Sequence, residues 1–185
     1  MRKSELDENL IFRIANGDGS AFRELYNGTS GAVYGFALSI LKNRADAEDI
    51  MQETYIKTCS AASAYKAAGK PLSWILTIVR NLCYNKIRAG RVCEDLSQYE
   101  SQVYADDRIN LALDRQILTS ALSNLDFEER QIVILHAVTG LKHKEIAEIL
   151  EVPLGTVLSK YKRSLVKLRK EIEGSDKEKK EGGAE

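Results

Sequence analysis

Leu141-Lys-His-Lys-Glu-Ile-Ala-Glu-Ile-Leu-Glu-Val-Pro-Leu-Gly-Thr-Val-Leu-Ser-Lys-Tyr-Lys-Arg163 reads as a short helix, a tight turn and a second helix loaded with cations. Ile146, Ala147, Ile149 and Leu150 give the first helix an apolar face, and Ala147 is small enough for a crossing helix to pack against it. Val152 and Pro153 end that run, since proline cannot continue a helix that needs its N–H. The second helix should begin between Leu154 and Thr156. From there to Lys170 it carries Lys160, Lys162, Arg163, Lys167, Arg169 and Lys170 with no acidic residue, while Val157, Tyr161, Leu165 and Leu168 form an apolar stripe. A helix held on one face and cationic elsewhere suits a helix-turn-helix reader lying beside phosphates. The plainer alternative is a solvated amphipathic helix closing an ordinary helical domain. Two positions are unusual for such a motif: Glu151 stands where a left-handed turn favours glycine, and Lys142 where a Ser or Thr cap is expected. Each costs at most about 1 kcal/mol, which a packed domain absorbs.

Working outward, only Pro71 and Pro153 occur in 185 residues and helical periodicity recurs nearly throughout, so the expected class is all-α. Leu6, Leu10, Ile11 and Ile14 mark a first helix closed by Gly17; Asp18 to Ser20 restart the chain for Phe22, Leu25 and Tyr26. A separate helix follows around Val33 to Leu41, weakened by Gly31 and Gly35, and Asn27 to Gly31 reads as a flexible run. Further helices are expected over 46–62 and 72–89, then a break in period from Gly90 to 108, then helical spacing again from Leu113 to Leu122. Asp126 with Glu129 makes a capping-box start for a helix over Phe127 to Thr139, which Gly140 stops. The chain therefore divides into a small helical unit over 1–92, a flexible acidic linker over 93–110, a second helical unit over 111–173 and a disordered tail over 174–185.

The 27 Lys and Arg balance the 27 Asp and Glu, but the zero net charge hides sorted blocks. Residues 66–93 hold Lys66, Lys70, Arg80, Lys86, Arg88 and Arg91 and no carboxylate; residues 94–107 hold Glu94, Asp95, Glu100, Asp106 and Asp107 and no cation. A nucleic-acid partner is compatible with such sorting despite overall neutrality. Cys59, Cys83 and Cys93 lie at no metal-ligand spacing, and His136 and His143 are remote from them, so reduced thiols are expected and neither a metal nor another cofactor. No apolar run reaches transmembrane length and the N-terminus has no signal-peptide core, so the expected setting is cytoplasmic. No Ser, Cys, His and carboxylate set has catalytic spacing, and Gly17-Asp18-Gly19 is a turn rather than a phosphate loop, so neither an enzyme nor a small-molecule substrate is expected.

Two helices carry further signals. Over 46–57, Ala47, Ile50, Met51 and Thr54 share one side while Asp46, Asp49, Gln52 and Glu53 cluster on the other, a pattern that a solvated face and a docking face explain equally well. In the helix from Ser73, Ile75, Ile78, Val79 and Leu82 mark a buried stripe, while Trp74, Thr77, Asn81, Tyr84 and Arg88 fall along another. A stripe mixing aromatics, an amide and a cation could stack and hydrogen-bond unpaired bases. Alternatively Trp74 and Tyr84 are core, leaving Arg80, Lys86, Arg88 and Arg91 as a phosphate-binding rim.

In this order and separation, three motifs resemble the bacterial sigma-70 superfamily, specifically its short extracytoplasmic-function (ECF) sigma factors, over nearly all of residues 6–172. Ala47-Glu-Asp-Ile-Met-Gln-Glu-Thr-Tyr-Ile-Lys57 is similar to region 2.2, Leu72-Ser-Trp-Ile-Leu-Thr-Ile-Val-Arg-Asn81 to region 2.3, and Glu145-Ile-Ala147 through Gly155-Thr-Val157 to region 4.2. The resemblance implies a promoter-specificity subunit with a σ2-like bundle and a σ4-like helix-turn-helix domain. Its partners would be core RNA polymerase, through the β′ clamp helices and β flap, promoter DNA, and an anti-sigma factor able to hold it at the membrane. It implies core docking by Asp46, Asp49, Gln52 and Glu53, capture of an unpaired −10 base by the region 2.3 helix and the loop around Tyr65 to Pro71, and −10 DNA binding by Trp74, Arg80, Asn81, Tyr84, Lys86, Arg88 and Arg91. For −35 contact it implies Thr156, Ser159, Lys160, Lys162 and Arg163. Departures from the family pattern are Cys59 where tryptophan is frequent, Asp126 where proline usually follows leucine, and Leu158 where a basic residue often precedes Ser159. Rival readings are a stand-alone helix-turn-helix regulator with an N-terminal sensing domain, which predicts duplex binding without polymerase, and an interaction adaptor that binds no DNA.

Overall fold

The computed structural model describes residues 6–93 and 122–181, with side chains over 6–90 and 122–173. Every regular element among them is helical, as expected: α1 (Asn9–Ala15), α2 (Gly19–Leu41), α3 (Arg44–Ala61), a 3-10 turn (Ala62–Ala64), α4 (Pro71–Cys93), α5 (Phe127–Thr139), α6 (His143–Leu150) and α7 (Leu154–Glu181). The expected linker and the helical spacing from Leu113 to Leu122 fall almost wholly outside the described residues.

The stops and starts are local chemistry. Gly17 takes φ +84 after α1, and the Asp18 side chain caps α2 by accepting from the amides of Ser20 and Ala21. Asn43 caps α3 through the Asp46 amide at 3.1 Å. At α5 the capping box is complete, with the Glu129 amide on Asp126 at 2.7 Å and the Asp126 amide on Glu129 at 3.1 Å.

Three boundaries differ from the sequence reading. α2 does not break over Asn27 to Gly31 but runs through it unbroken, because Thr29 is buried and its hydroxyl bonds both the Leu25 carbonyl (2.7 Å) and the Tyr55 hydroxyl (2.8 Å). A buried, satisfied threonine anchors a stretch that two exposed glycines would otherwise loosen. α4 continues through Gly90 to Cys93. α7 continues past Glu173 to Glu181, where Lys and Glu, both good helix formers, extend a helix with no apolar pattern to bury.

Leu10, Ile11 and Ile14 of α1 pack with Leu25, Val33 and Phe36 of α2, Ile50 and Tyr55 of α3, and Ile75, Leu76 and Val79 of α4. The same buried cluster runs on into Ile132 and Leu135 of α5, Ile146 and Ile149 of α6, and Val157 of α7. Each fully buried side chain of this kind contributes about 1.5–3 kcal/mol relative to exposure. The N-terminal helices α1–α4 and the C-terminal helices α5–α7 meet where α2 packs on α5 and α4 packs on α6.

Candidate nucleic-acid interface

The helix-turn-helix is built as its sequence suggests, with one substitution of means. Lys142 can only donate, so α6 is capped by one arm alone: the Lys142 amide donates to Glu145 at 2.7 Å. Glu151 takes the left-handed conformation, φ +57, that the turn requires, and the Val152 amide closes it onto the Ala147 carbonyl at 3.2 Å. α7 is then held by fully buried Val157 and Ser164 and by a ring cluster in which His136 and His143 stack at 4.6 Å and Tyr161 meets both edge-on. Burial, then the neighbouring His136, holds the His143 imidazole below its ordinary pKa.

On the outer side of α7, Ser159, Lys162 and Arg163 are exposed and Thr156 is half-buried. Leu158 is also exposed, between the polar contacts expected there. Lys160 is turned away from that group. Its ammonium sits 3.2 Å from both Asp126 and Glu128 at the start of α5, and only 18% of its side chain is exposed. Lys167 likewise reaches Glu129, a carboxylate 1% exposed, at 2.6 Å.

The N-terminal half presents a cleft of about 380 Å³ whose walls include Tyr65, Lys66, Lys70, Trp74, Thr77 and, from α6, Glu148. The Trp74 ring is 4.9 Å from that of Tyr65, and the Arg80 guanidinium lies 4.8 Å over Tyr84, whose ring in turn faces Phe127 at 6.4 Å. Trp74 and Tyr84 are thus neither free stacking platforms nor core residues: both are half-buried, with one side on the core. Asn81 and Arg88 are exposed, while the side chain of Arg91 lies outside the described residues. Two cations of this face are already occupied. Lys70 pairs with Glu148 at 3.0 Å, and Arg80, 11% exposed, makes a two-pronged pair with Glu151 at 2.8 and 3.0 Å.

α3 turns Ala47, Ile50, Thr54 and Tyr55 inward, with Met51 half-buried beside them. Asp49, Gln52 and Glu53 are exposed and Asp46 is half-buried. Lys86 of α4 reaches across to Asp46 at 2.6 Å and Asp49 at 3.5 Å, so it belongs to this acidic face rather than to the rim of cations expected on α4. Those carboxylates, the Asp46 hydrogen bond foremost, raise the Lys86 pKa against the lowering effect of burial. Ile56, 69% exposed, adds one apolar side chain to the same face, which the charge pattern did not single out.

Cys59 is exposed, and Cys83 is buried with its thiol pushed up to about 12 by desolvation. Among the described residues no three His, Cys, Asp or Glu side chains are grouped to hold a metal, and no helix is long and apolar enough to cross a membrane. Sequence reasoning missed Glu8, Glu148 and Glu151. Each meets its partner across 57 or more residues, a separation that leaves no periodic signature.

Comparison with known proteins bears on both halves. Residues 25–92 match the family model for Sigma-70 region 2, and residues 115–168 match that for Sigma-70, region 4. The ECF RNA polymerase sigma factor SigK of Mycobacterium ulcerans (strain Agy99) is 30% identical over 178 residues, covering 90% of this chain and 93% of the relative. SigK of Mycobacterium tuberculosis (strain ATCC 25618 / H37Rv) is 29% identical over 90% of this chain and 92% of its own. In structure, the chain is similar to the sigma factor RpoE in complex with the anti-sigma factor NepR from Bartonella quintana, with a TM-score of 0.70 at 24% identity over 82% of this chain and 96% of that one. It is similar also to CnrH in complex with the cytosolic domain of CnrY, with a TM-score of 0.65 at 21% identity over 91% of this chain and 98% of that one. At these identities the two structures speak to the fold.

Proposed function

The chain belongs to the ECF sigma factors of the sigma-70 family, promoter-specificity subunits of RNA polymerase, and on that premise we propose how its residues divide the work. Sigma factors are non-enzymatic initiation factors, so the task is recognition and strand capture. Asp49, Gln52, Glu53 and Ile56 form the face that docks on core polymerase, with Asp46 and Lys86 bracing it; exposure of three polar groups around one apolar side chain supports this. Thr156, Ser159, Lys162 and Arg163 meet the −35 duplex, supported by the exposure of the last three on a helix anchored from behind. Lys160 is better suited to fastening α7 to α5 than to reading DNA.

The observation that carries the promoter-opening role is the cleft beside Trp74. It is walled by two aromatic rings with Lys66 exposed at its edge and Lys70 freed once Glu148 lets go, the combination that stacks an unpaired base and neutralises its phosphate. Trp74, Asn81, Tyr84 and Arg88 complete this −10 face, and Arg80 joins it once Glu151 lets go. A stand-alone regulator does not account for the region 2 match, and an adaptor does not account for a cationic reading helix. An anti-sigma partner is part of the proposal, on the strength of the family and of the complexes in which fold relatives occur.

Two measurements test these assignments. Alanine at Asp49, Gln52 and Glu53 should abolish co-elution with core polymerase in gel filtration; retained co-elution removes the docking assignment. Alanine at both Lys162 and Arg163 should lower the slope of log affinity against log salt for a bound promoter by about 2, roughly one for each phosphate no longer neutralised. An unchanged slope would mean neither touches phosphate.

A further inference from the structure

Loop 65–70, which forms one wall of the cleft, belongs to no helix, so its amides need partners from elsewhere. Two of them find the same atom. The amides of Ala68 and Gly69 donate to Oε1 of Glu8 at 2.8 and 2.9 Å, and the Tyr65 hydroxyl donates to that oxygen at 2.6 Å. Glu8 stands at the start of α1, and its half-buried carboxylate is the side-chain acceptor for these three donors at once. Gly69 takes φ +66 there, which brings consecutive amides to bear on a single acceptor. Tyr65 is fixed from two further sides, by Trp74 at 4.9 Å and Phe12 at 6.0 Å. The Tyr65 hydroxyl, followed by the Gly69 amide, holds the Glu8 carboxyl below its ordinary pKa, so it stays ionised and accepting at neutral pH.

We propose that Glu8 is the positioning residue of the promoter-opening cleft: by gathering Tyr65, Ala68 and Gly69 onto one oxygen it fixes loop 65–70 in the shape that receives an unpaired base. The proposal rests on the reading of the cleft given above. Glu8 touches no DNA itself. Its effect passes through Tyr65, whose ring walls the cleft, and through Lys66 and Lys70, which the loop carries on either side of the tethered amides.

The test uses the full chain assembled with core polymerase, and as probe a fluorescent single-stranded oligonucleotide enriched by the unaltered holoenzyme from a short randomised pool. Glu8→Ala should weaken probe binding about tenfold while leaving affinity for core polymerase unchanged; Glu8→Gln should restore binding to within about threefold, because the two lone pairs of its carboxamide oxygen still accept from two of the three donors. In the free chain, amide hydrogen exchange at Ala68 and Gly69 should rise at least about tenfold in Glu8→Ala and stay near its original rate in Glu8→Gln. Should Glu8→Ala fail to fold, Tyr65→Phe, which removes one of the three donors, gives the same reading with a smaller loss. Trp74→Ala, run in parallel, separates the role of the cleft from the role of Glu8. If it costs no probe affinity, the cleft is not the capture site and this inference falls with that reading. If Trp74→Ala loses affinity but Glu8→Ala binds the probe normally, or if loop exchange is unmoved, Glu8 is not its positioning residue and the cleft assignment stands alone.

Discussion

The fold holds the two faces we propose for nucleic acid in opposite states. On α4 and the loop before it, Lys70 and Arg80 end on Glu148 and Glu151 from the other half of the molecule. On α7, Lys162 and Arg163 face solvent and pair with no carboxylate among the described residues, while Lys160 and Lys167 reach back to the start of α5 within their own half. Counting cations would rank the two faces alike. What distinguishes them is where the neutralising carboxylate comes from: a partner inside the same half braces a helix, whereas one from the other half ties the halves together and occupies a cation of the face proposed for the −10 element.

The contrast presumes that both halves share a core, and the largest effect should come from attacking it. Phe36 is fully buried in α2, the helix that packs on both α4 and α5, and Phe36→Ala should cost about 3–5 kcal/mol. Trp74, the single tryptophan, reports the N-terminal half by fluorescence, while far-UV circular dichroism reports all helices. Coincident urea transitions for the two probes are expected; separate transitions would show that the halves unfold independently and that the closed contact is marginal.

A smaller effect is expected from the contact itself. Replacing Glu148 and Glu151 together by lysine sets like charges against Lys70 and Arg80, removing two pairs worth about 0.2–1 kcal/mol each at such exposure and adding repulsion. The radius of gyration measured by small-angle scattering at low salt should increase. No change would assign the closure to the packing of α2 on α5 and of α4 on α6 without the ion pairs.

The smallest effect sharpens the comparison from the C-terminal side. His143 is held below its ordinary pKa by burial and by His136, so folding favours the neutral ring. The folded value being depressed, the associated stability is fully present above the unfolded value of about 6.5 and is lost as pH falls through the folded one. The melting temperature should therefore drop between neutral and mildly acidic pH, and a His143→Phe variant should flatten that dependence. An unflattened profile would place the titrating group elsewhere.

Much of this was legible in the residues because it depends on neighbours within one or two helical turns. The Asp126–Glu129 capping box, the turn at Glu151, the inward stripe of Ile146, Ile149 and Val157, and the acidic outer side of α3 each follow from spacing. The polar run at Asn27 to Gly31 misled for the complementary reason. Its helix depends on Thr29 meeting Tyr55, a partner on another helix. Lys86 and Lys160 show the same limit of local pattern: spacing groups them with the cations, and only the fold shows a carboxylate beside each.

By itself, the sequence determined an all-helical chain, the helix-turn-helix and the motifs of the ECF sigma family, since hydrophobic period, caps and turn residues act over a few positions and are written in order along the chain. Only the tertiary structure decided which cations are occupied, how Trp74 and Tyr84 share their rings between core and surface, and that one oxygen of Glu8 holds the loop of the cleft beside Trp74. Those outcomes join residues that are distant in sequence but adjacent in space, and such contacts are fixed by packing of the whole chain rather than by any local pattern.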